Sequence, residues 1–297
     1  MMNRRRFVAG SVASTAAASF LRSETRPLLI DSHVHVWKHD AHFPFAVGAK
    51  VPADDAPAEM LLELMRANGV ARTVLIQVIH YKWDNSYLAD VLRRYPGMFK
   101  GVCRVNPEDA SAPDVLSRLV EQGFAGVRIS PAADAGGDWI RGPLMKPLWR
   151  RCAELKVPMT VLAPVIRMPD LAPWIEANPE LTVVIDHMAD SPLDRLAELE
   201  KLLALARYPR VFVKISHTWS LSKQAYPYAD SLAQVKRLYD VFGAKRLMWG
   251  TDWPVSLPFL SYAKAVALYR DGLGWMPAPE KAQILSGTVQ EVWPFGL

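Results

Sequence analysis

The feature that most constrains the fold of this chain is a regular alternation of two kinds of segment. Short runs rich in Val and Ile, typical of buried strands, are separated by longer segments whose apolar residues recur with a helical period. The strand-like runs cover Leu28–His35, Thr73–Val78, Lys100–Val105, Ala125–Ile129, Pro158–Ala163, Leu181–His187, Val211–Ile215 and Leu247–Asp252. Strands that alternate with helices pair in parallel through right-handed crossovers. Eight such repeats therefore predict a single-domain α/β fold, a (β/α)8 barrel of the TIM type.

The segments between the strands support this prediction. The helix-like segments cover Ala58–Asn68, Tyr87–Tyr95, Ala112–Gln122, Pro143–Leu155, Met168–Ala177, Asp194–Tyr208, Ser231–Phe242, Tyr262–Tyr269 and Pro279–Val292. Two long segments, Lys38–Pro57 and His217–Asp230, are predicted as loops over the barrel mouth. An open doubly wound sheet is the competing architecture, but it normally carries a glycine-rich phosphate-binding turn after its first strand. His33 and His35 occupy that place here, which favours the barrel.

The first residues lie outside the repeating pattern. The stretch MMNRRRFVAGSVASTAAASF has a basic start, a mildly apolar run of small residues and an alanine-rich cleavage-site pattern at Ala16–Ala18. This is the layout of a secretory signal, and the arginines at Arg4 and Arg5 resemble a twin-arginine signal, which an exporter of folded proteins reads. We therefore assign residues 1–24 to a signal peptide and linker and residues 25–297 to the barrel domain. A periplasmic location is the resulting prediction.

Charge and hydropathy exclude two classes of partner. Loss of Arg4, Arg5 and Arg6 with the signal lowers the formal net charge from +5 by three to +2, so the remaining chain has no strong basic excess for nucleic-acid binding. No apolar run reaches the roughly 18 residues that a membrane span needs. Cys103 lies in a predicted strand and Cys152 in a predicted helix. An oxidising compartment would permit a disulfide between them, but we expect two buried free thiols.

Polar side chains stand at the ends of many predicted strands, which is where barrels of this kind carry out chemistry. In the first strand, His33 and His35 are two residues apart and project from the same face, with Asp31 behind them as a residue that orients a histidine. The last strand of a closed barrel lies beside the first, so Asp252 is predicted to lie near both histidines. Two imidazoles and a carboxylate are suited to holding a divalent metal ion, and equally suited to general-base catalysis without a metal. Further polar residues at strand ends are Gln77, Arg104, Arg128, His187, Lys214 and His217.

Six motifs, taken together and in order, resemble a known family. They are DSHVHVW, VLIQ, GVRI, IDHMAD, VKIS and MWGTDWPV, and they resemble the amidohydrolase-related branch of the amidohydrolase superfamily. The similarity runs from about Leu28 to the C-terminal SGTVQEVWPF. It is strongest to the lactonases of that branch, which include 2-pyrone-4,6-dicarboxylate hydrolase, 4-sulfomuconolactone hydrolase and sugar-lactone hydrolases. The resemblance implies an enzyme that opens the ring of a small lactone.

The resemblance also implies roles for individual residues. His33 and His35 correspond to the family's strand-one pair, His187 to its strand-six histidine, and Asp252 to the strand-eight aspartate that activates water. Arg128, in the strand-four G-x-R pattern, corresponds to an arginine that holds a substrate carboxylate.

The resemblance limits the metal content as well. Metal sites in the wider superfamily often add a Lys or Glu in strand four and a His in strand five. This chain has Arg128 and Thr160–Pro164 at those places, so a two-metal centre is not expected. We expect at most one zinc-like ion, held by His33, His35 and Asp252, and the resemblance also allows an enzyme that works without a metal.

The resulting hypothesis is hydrolysis of a small anionic lactone by a water molecule that Asp252 activates. The residues assigned to catalysis are Asp252, His33, His35 and His187, and those assigned to substrate binding are Arg128, Arg104, Lys214, Gln77 and His217. One alternative is a metal-dependent decarboxylase of aromatic or related acids, which shares the fold and the strand-one histidines. Another is a periplasmic binding protein without catalysis. The identity of the lactone and the oligomeric state are left open by the sequence.

Overall fold

The computed structural model describes residues 28–130 and 139–297. Within them, eight parallel strands form one sheet in sequence order. The strands are β1 (Leu29–Val34), β2 (Val70–Ile76), β3 (Phe99–Arg104), β4 (Gly126–Ile129), β5 (Met159–Val161), β6 (Val183–Ile185), β7 (Val211–Lys214) and β8 (Leu247–Met248). Each of the eight predicted strands is present, and most predicted runs extend one or two residues beyond the strand end, the last of them four residues beyond β8.

The end of the chain's last strand returns to the first strand. Ser32 N donates to Trp249 O over 3.2 Å, and Asp252 N donates to His33 O over 2.9 Å. A parallel bridge between Val34 and Trp253 extends this contact beyond β8. These bonds close the barrel, so the predicted (β/α)8 architecture is confirmed and the open doubly wound sheet is excluded.

Helices surround the strands, and a few differ from the sequence-based prediction. The helices are α1 (Ala58–Asn68), α2 (Ser86–Arg94), α3 (Ala112–Glu121), α4 (Met145–Leu155), α5 (Ala172–Ala177), α6 (Leu196–Leu203), α7 (Thr218–Leu221), α8 (Ala229–Phe242), α9 (Tyr262–Gly272), α10 (Ala278–Ala282) and α11 (Thr288–Val292). The predicted helix over Met168–Ala177 begins instead as a 3₁₀ turn with Pro169 inside it, because proline lacks the N–H that an α-helix needs. The predicted loop over His217–Asp230 contains α7 and the first two residues of α8. The segment Lys38–Pro57 has no helix, as predicted.

The barrel interior has an apolar floor and a polar layer above it. The floor is one cluster of buried side chains: Ile30, Val74, Ile76, Val102, Val184, Phe212, Met248, Val289 and Trp293. Residues two positions further along a strand point to the same side. Arg104, Asp186 and Lys214 follow Val102, Val184 and Phe212 at this spacing, and all three are fully buried. The pleat of the strands thus places charged groups directly above the apolar floor, on the side where the strands end.

Three remaining predictions concern the thiols, the membrane and the signal. Cys103 and Cys152 are both buried and free, as predicted. None of the helices in residues 28–130 and 139–297 is long and apolar enough to span a bilayer. The predicted signal peptide, residues 1–24, lies outside the described residues, and so do the first residues of the predicted barrel domain.

Candidate active site

The site begins at the end of β1, where a buried carboxylate fixes the backbone. Asp31 Oδ1 accepts hydrogen bonds from the backbone N–H groups of His33, at 3.1 Å, and Thr251, at 3.0 Å. Its Oδ2 accepts a hydrogen bond from the Thr251 hydroxyl at 2.6 Å. Burial raises the pKa of Asp31 to about 7, and the hydrogen bonds oppose that rise. Asp31 therefore ties β1 to the segment after β8. It positions His33 through the backbone N–H, which agrees with its predicted role as a residue that orients a histidine.

The two histidines of β1 and the aspartate after β8 converge above the polar layer. His33 Nε2 lies 3.3 Å from His35 Nε2. Asp252 Oδ1 lies 3.5 Å from His33 Nε2 and 3.2 Å from His35 Nε2. The proximity that barrel closure predicted for these residues is therefore observed.

The spacing of these three atoms suits one divalent ion. A tetrahedral zinc ion with bonds of about 2.0–2.1 Å holds its ligand atoms about 3.3 Å apart. Asp252 Oδ1 is buried and has no hydrogen-bond partner within the described part of the chain. His35 Nδ1 donates to the carbonyl of Ile76 over 2.7 Å, which leaves the Nε2 lone pair of a neutral His35 ring directed at the same point. The donor set of His33, His35 and Asp252 therefore fits one metal ion.

The second oxygen of Asp252 is held by a histidine from the end of β7. His217 Nε2 lies 2.7 Å from Asp252 Oδ2, and His217 Nδ1 lies 2.9 Å from Asp190 Oδ1. Burial lowers the pKa of His217, but the two carboxylates outweigh it and raise the pKa to about 9. Burial likewise raises the pKa of Asp252, but the charge and the hydrogen bond of His217 outweigh it and hold the pKa well below its usual range. Asp252 is therefore an ionised carboxylate whose Oδ2 is hydrogen-bonded to His217 and whose Oδ1 faces His33 and His35.

His187 packs against both parts of this cluster. Its ring is stacked on the His217 ring, with the centroids 3.5 Å apart, and lies 4.4 Å from the His33 ring. His187 Nδ1 is hydrogen-bonded to the Ser216 hydroxyl at 2.7 Å. Burial and the neighbouring His217 and His33 rings hold the pKa of His187 well below its usual range. His187 is therefore a neutral ring at the wall of the site.

The charged layer beneath His33 is built around one carboxylate. Asp186 Oδ2 accepts a hydrogen bond from Arg128 Nε at 2.9 Å, and Asp186 Oδ1 lies 3.1 Å from Lys214 Nζ. The same oxygen lies 3.3 Å from His33 Nδ1. Burial raises the pKa of Asp186, but Lys214, His33 and Arg128 together hold it well below its usual range. Lys214 is fully buried in this layer, so the structure places it under His33 and away from the solvent at the mouth.

The other predicted substrate-binding residues, Arg128, Arg104 and Gln77, are all buried. The Nε bond to Asp186 is the one hydrogen bond that the Arg128 side chain makes within residues 28–130 and 139–297. The guanidinium of Arg104 lies over the Trp83 ring, at 5.0 Å from the centroid, and its backbone is bonded in both directions by Asn85. Gln77 is buried, and its amide donates to the carbonyl of Asp84.

Two residues that the sequence did not assign take part in the site. Asp186 and Asp190 both lie in the motif IDHMAD, which was the available signal. Their roles depend on a turn in which His187, Met188 and Ala189 each have φ 54°. This left-handed path brings Asp190 to His217, and a sequence pattern does not reveal such a turn.

Comparisons with known proteins show the family and the fold of this chain. Residues 30–295 match the model of a family described as amidohydrolase. The chain is 32% identical over 237 residues to an L-fucono-1,5-lactonase of Burkholderia ambifaria, covering 76% of this chain and 80% of that protein. It is 28% identical over 236 residues to a 4-sulfomuconolactone hydrolase of Hydrogenophaga intermedia, covering 76% and 74%. Among solved structures, it resembles an amidohydrolase of Burkholderia multivorans with bound zinc, with a TM-score of 0.71, 25% identity and coverage of 89% and 98%.

Proposed function

We propose that this chain, which belongs to the amidohydrolase family, is a hydrolase that opens the ring of a small anionic lactone. The observation that carries the proposal is the placement of Asp252. One of its oxygens is bonded to His217 at 2.7 Å, and the other faces His33 and His35 at 3.5 and 3.2 Å. The similarity to a lactonase and to a lactone hydrolase supports a cyclic ester as the substrate class.

Asp252 is suited to take the proton of the attacking water. It is ionised, and its Oδ1 is the oxygen that has no hydrogen-bond partner within the described residues. As Oδ1 accepts the proton, the water oxygen bonds to the lactone carbonyl carbon. Collapse of the tetrahedral adduct breaks the ring C–O bond, and the proton on Asp252 passes to the departing ring oxygen. The product is an open-chain hydroxy acid, and Asp252 is regenerated as a carboxylate.

The histidines that surround Asp252 supply the remaining polar groups. An imidazole N–H of His33 or His187 directed at the carbonyl oxygen would stabilise the negative charge that develops there. A divalent ion held by His33, His35 and Asp252 would polarise the carbonyl or lower the pKa of water. Ser216 holds the His187 ring at 2.7 Å and so fixes its orientation.

Arg128 is the residue best placed to bind an anionic group of the substrate. Asp186 holds its Nε at 2.9 Å, which fixes the guanidinium plane and leaves the Nη groups available. A guanidinium fork matches the planar geometry of a carboxylate and pairs well with a sulfonate. Lys214 and Arg104 are fully buried, so they contribute positive potential more readily than direct contacts. Gln77 and His217 remain candidates for substrate contacts at the ends of β2 and β7.

A turnover screen tests the proposed function. Carboxylated, sulfonated and neutral sugar lactones would each be offered to the full chain, with and without a chelator, and products would be identified by mass. The proposal expects a product that contains all the carbon of the lactone and one added water. Release of carbon dioxide from an aromatic acid would instead support the decarboxylase, and tight binding without turnover would support the binding protein.

A further inference from the structure

Two residues of the site have a backbone conformation that is unusual for residues with a side chain. His217 has φ 64° and Asp252 has φ 56°, and both values belong to the left-handed region. Such a conformation persists where the surrounding contacts fix it. The hydrogen bond between these two side chains, at 2.7 Å, therefore depends on what holds the segments after β7 and β8 in place.

The segment after β7 needs support from the rest of the fold. His217 is followed by α7, which has four residues, and a helix of this length is not stable in isolation. Thr218 anchors the start of α7. Its hydroxyl is hydrogen-bonded to the Tyr269 hydroxyl at 3.1 Å, and its carbonyl accepts a hydrogen bond from Ser231 at 2.8 Å. Neither bond involves the His217 ring, so other contacts must hold that ring.

Trp219, the second residue of α7, packs against the His217 ring. The centroids of the two rings are 4.9 Å apart. Trp219 is 8% exposed, and its Nε1 has no hydrogen-bond partner within the described ranges. The indole is therefore held by packing and not by a hydrogen bond. The ring stacked on it is that of Phe259, with the centroids 4.5 Å apart and an angle of 26° between the planes.

Phe259 connects these contacts back to Asp252. It lies on the segment after β8 and is 58% exposed. Its backbone N–H donates to the carbonyl of Ser256 over 2.9 Å, and the N–H of Ser256 donates to the carbonyl of Asp252 over 3.1 Å. The contacts therefore form a closed circuit, which runs from the Asp252 carboxylate through His217, Trp219, Phe259 and Ser256 to the Asp252 backbone. This circuit restrains the carboxylate relative to its own backbone.

We propose that Phe259 is a positioning residue, which holds Trp219 against the His217 ring. The ring in turn fixes the direction of the Asp252 carboxylate. The inference rests on the proposed function only in that Asp252 activates water, because the circuit is the same whichever substrate the site takes. A displacement of about 1 Å in a catalytic group can lower a rate about 10²-fold, so loosening the circuit should reduce kcat more than it changes KM.

The kinetic test compares three replacements of Phe259 in the full chain. Phe259→Ala removes the ring, Phe259→Leu keeps apolar bulk without a ring, and Phe259→Tyr keeps the ring. For lactone hydrolysis, kcat should fall about 10-fold in Phe259→Ala, less in Phe259→Leu and little in Phe259→Tyr, with KM within about 2-fold of the wild type. The matched control is Trp275→Ala, which removes an aromatic side chain that is 41% exposed and packs against Tyr239, and it should keep the wild-type kcat.

A double-mutant cycle tests whether the effect passes through His217. In the His217→Gln background, Phe259→Ala should lower kcat by less than about 2-fold, because the contact that Phe259 supports is already lost. A further loss of about 10-fold in that background would overturn the inference. Two other results would do the same: wild-type kcat in a folded Phe259→Ala chain, and equal losses in Phe259→Ala and Phe259→Tyr.

Hydrogen exchange tests the circuit without a substrate. The backbone N–H groups of Ser220 and Leu221 donate to the His217 carbonyl, at 2.9 and 3.1 Å, and their exchange rates report local opening of α7. Exchange should be faster in Phe259→Ala than in the wild type, and unchanged in Phe259→Tyr and Trp275→Ala. Unchanged exchange in Phe259→Ala would overturn the inference. Faster exchange in a chain that opens no lactone would support the circuit and contradict only the proposed function.

Discussion

His217 Nε2 lies 2.7 Å from Asp252 Oδ2, although the two residues come from the ends of different strands. The contact joins an imidazole whose pKa is raised to about 9 to a carboxylate whose pKa lies well below its usual range. Each group therefore favours the charged form of the other. Because the hydrogen bond to His217 occupies Oδ2, the oxygen of Asp252 that remains to accept a proton is Oδ1.

The first prediction concerns the proposed base. Asp252→Asn keeps the shape of the side chain but cannot accept a proton, so kcat for lactone hydrolysis should fall at least about 10²-fold while the fold is retained. Because the pKa of Asp252 lies well below its usual value of 3.8, the wild type should show no loss of activity from this group between about pH 5 and about pH 8. Steady-state kinetics and circular dichroism check both points. The exposed Asp55→Asn is the matched control, and a folded Asp252→Asn chain with near wild-type turnover would contradict the assignment.

The second prediction concerns stability and pH. The pKa of His217 is 6.5 in an ordinary environment and about 9 in the folded chain. Protonated His217 therefore stabilises the folded chain fully at pH values below 6.5, and this stabilisation is lost as the pH rises through about 9. The free energy of unfolding of the wild type, relative to His217→Gln, should decrease between about pH 6 and about pH 10. Urea denaturation measures this difference. The exposed His42→Gln should show no comparable change, and parallel pH profiles for the wild type and His217→Gln would refute the pairing.

The third prediction concerns substrate charge. Arg128→Met should raise KM for an anionic lactone, with a loss on the order of 2–4 kcal/mol in transition-state binding if the contact is desolvated. A neutral lactone should lose less, because it makes no ion pair with the guanidinium. The ratio of kcat/KM values for the two substrates is the measurement, and the exposed Arg150→Met serves as the control. Equal losses on both substrates would mean that Arg128 does not bind the anion.

The fourth prediction concerns the thiols. Cys103 and Cys152 are fully buried, and burial raises the pKa of both thiols above the usual value of 9.0. An alkylating reagent therefore meets neither a reactive thiolate nor an accessible sulfur atom. Native protein at about pH 8 should react slowly with a maleimide, and both thiols should react rapidly in denaturant. Rapid labelling of the native chain, followed by mass spectrometry, would count against the buried state of the labelled residue.

The fifth prediction concerns export, on which the structure has no bearing because residues 1–27 lie outside its described part. Arg4→Lys together with Arg5→Lys should leave the protein in the cytoplasm if a twin-arginine exporter reads the signal. Immunoblots of periplasmic and cytoplasmic fractions measure the result. Single replacement of Arg22, near the end of the predicted signal and linker, is the control, and unchanged periplasmic recovery of the double variant would exclude this route.

The predictions from sequence and the observed fold agree where one periodic pattern was decisive. Eight apolar runs alternating with helical periods determined the barrel, and the two-residue period of a strand placed His33 and His35 together. Agreement was weaker at element ends. The helix predicted over Met168–Ala177 was interrupted by Pro169, and α7 arose within a predicted loop, since both depend on local backbone bonds that periodicity does not report.

From the sequence alone, the architecture and most of the chemistry-bearing residues at the strand ends could be predicted, whereas the redox state of Cys103 and Cys152 was left open. Only the tertiary structure decided the partner of each polar group. Lys214, predicted as a substrate contact, lies buried against His33 and Asp186. Asp190 reaches His217 through a left-handed turn. The physical reason is that strand period fixes the side of a sheet to which a residue points, whereas hydrogen-bond partners are set by atoms that only barrel closure and turn geometry bring within about 3 Å.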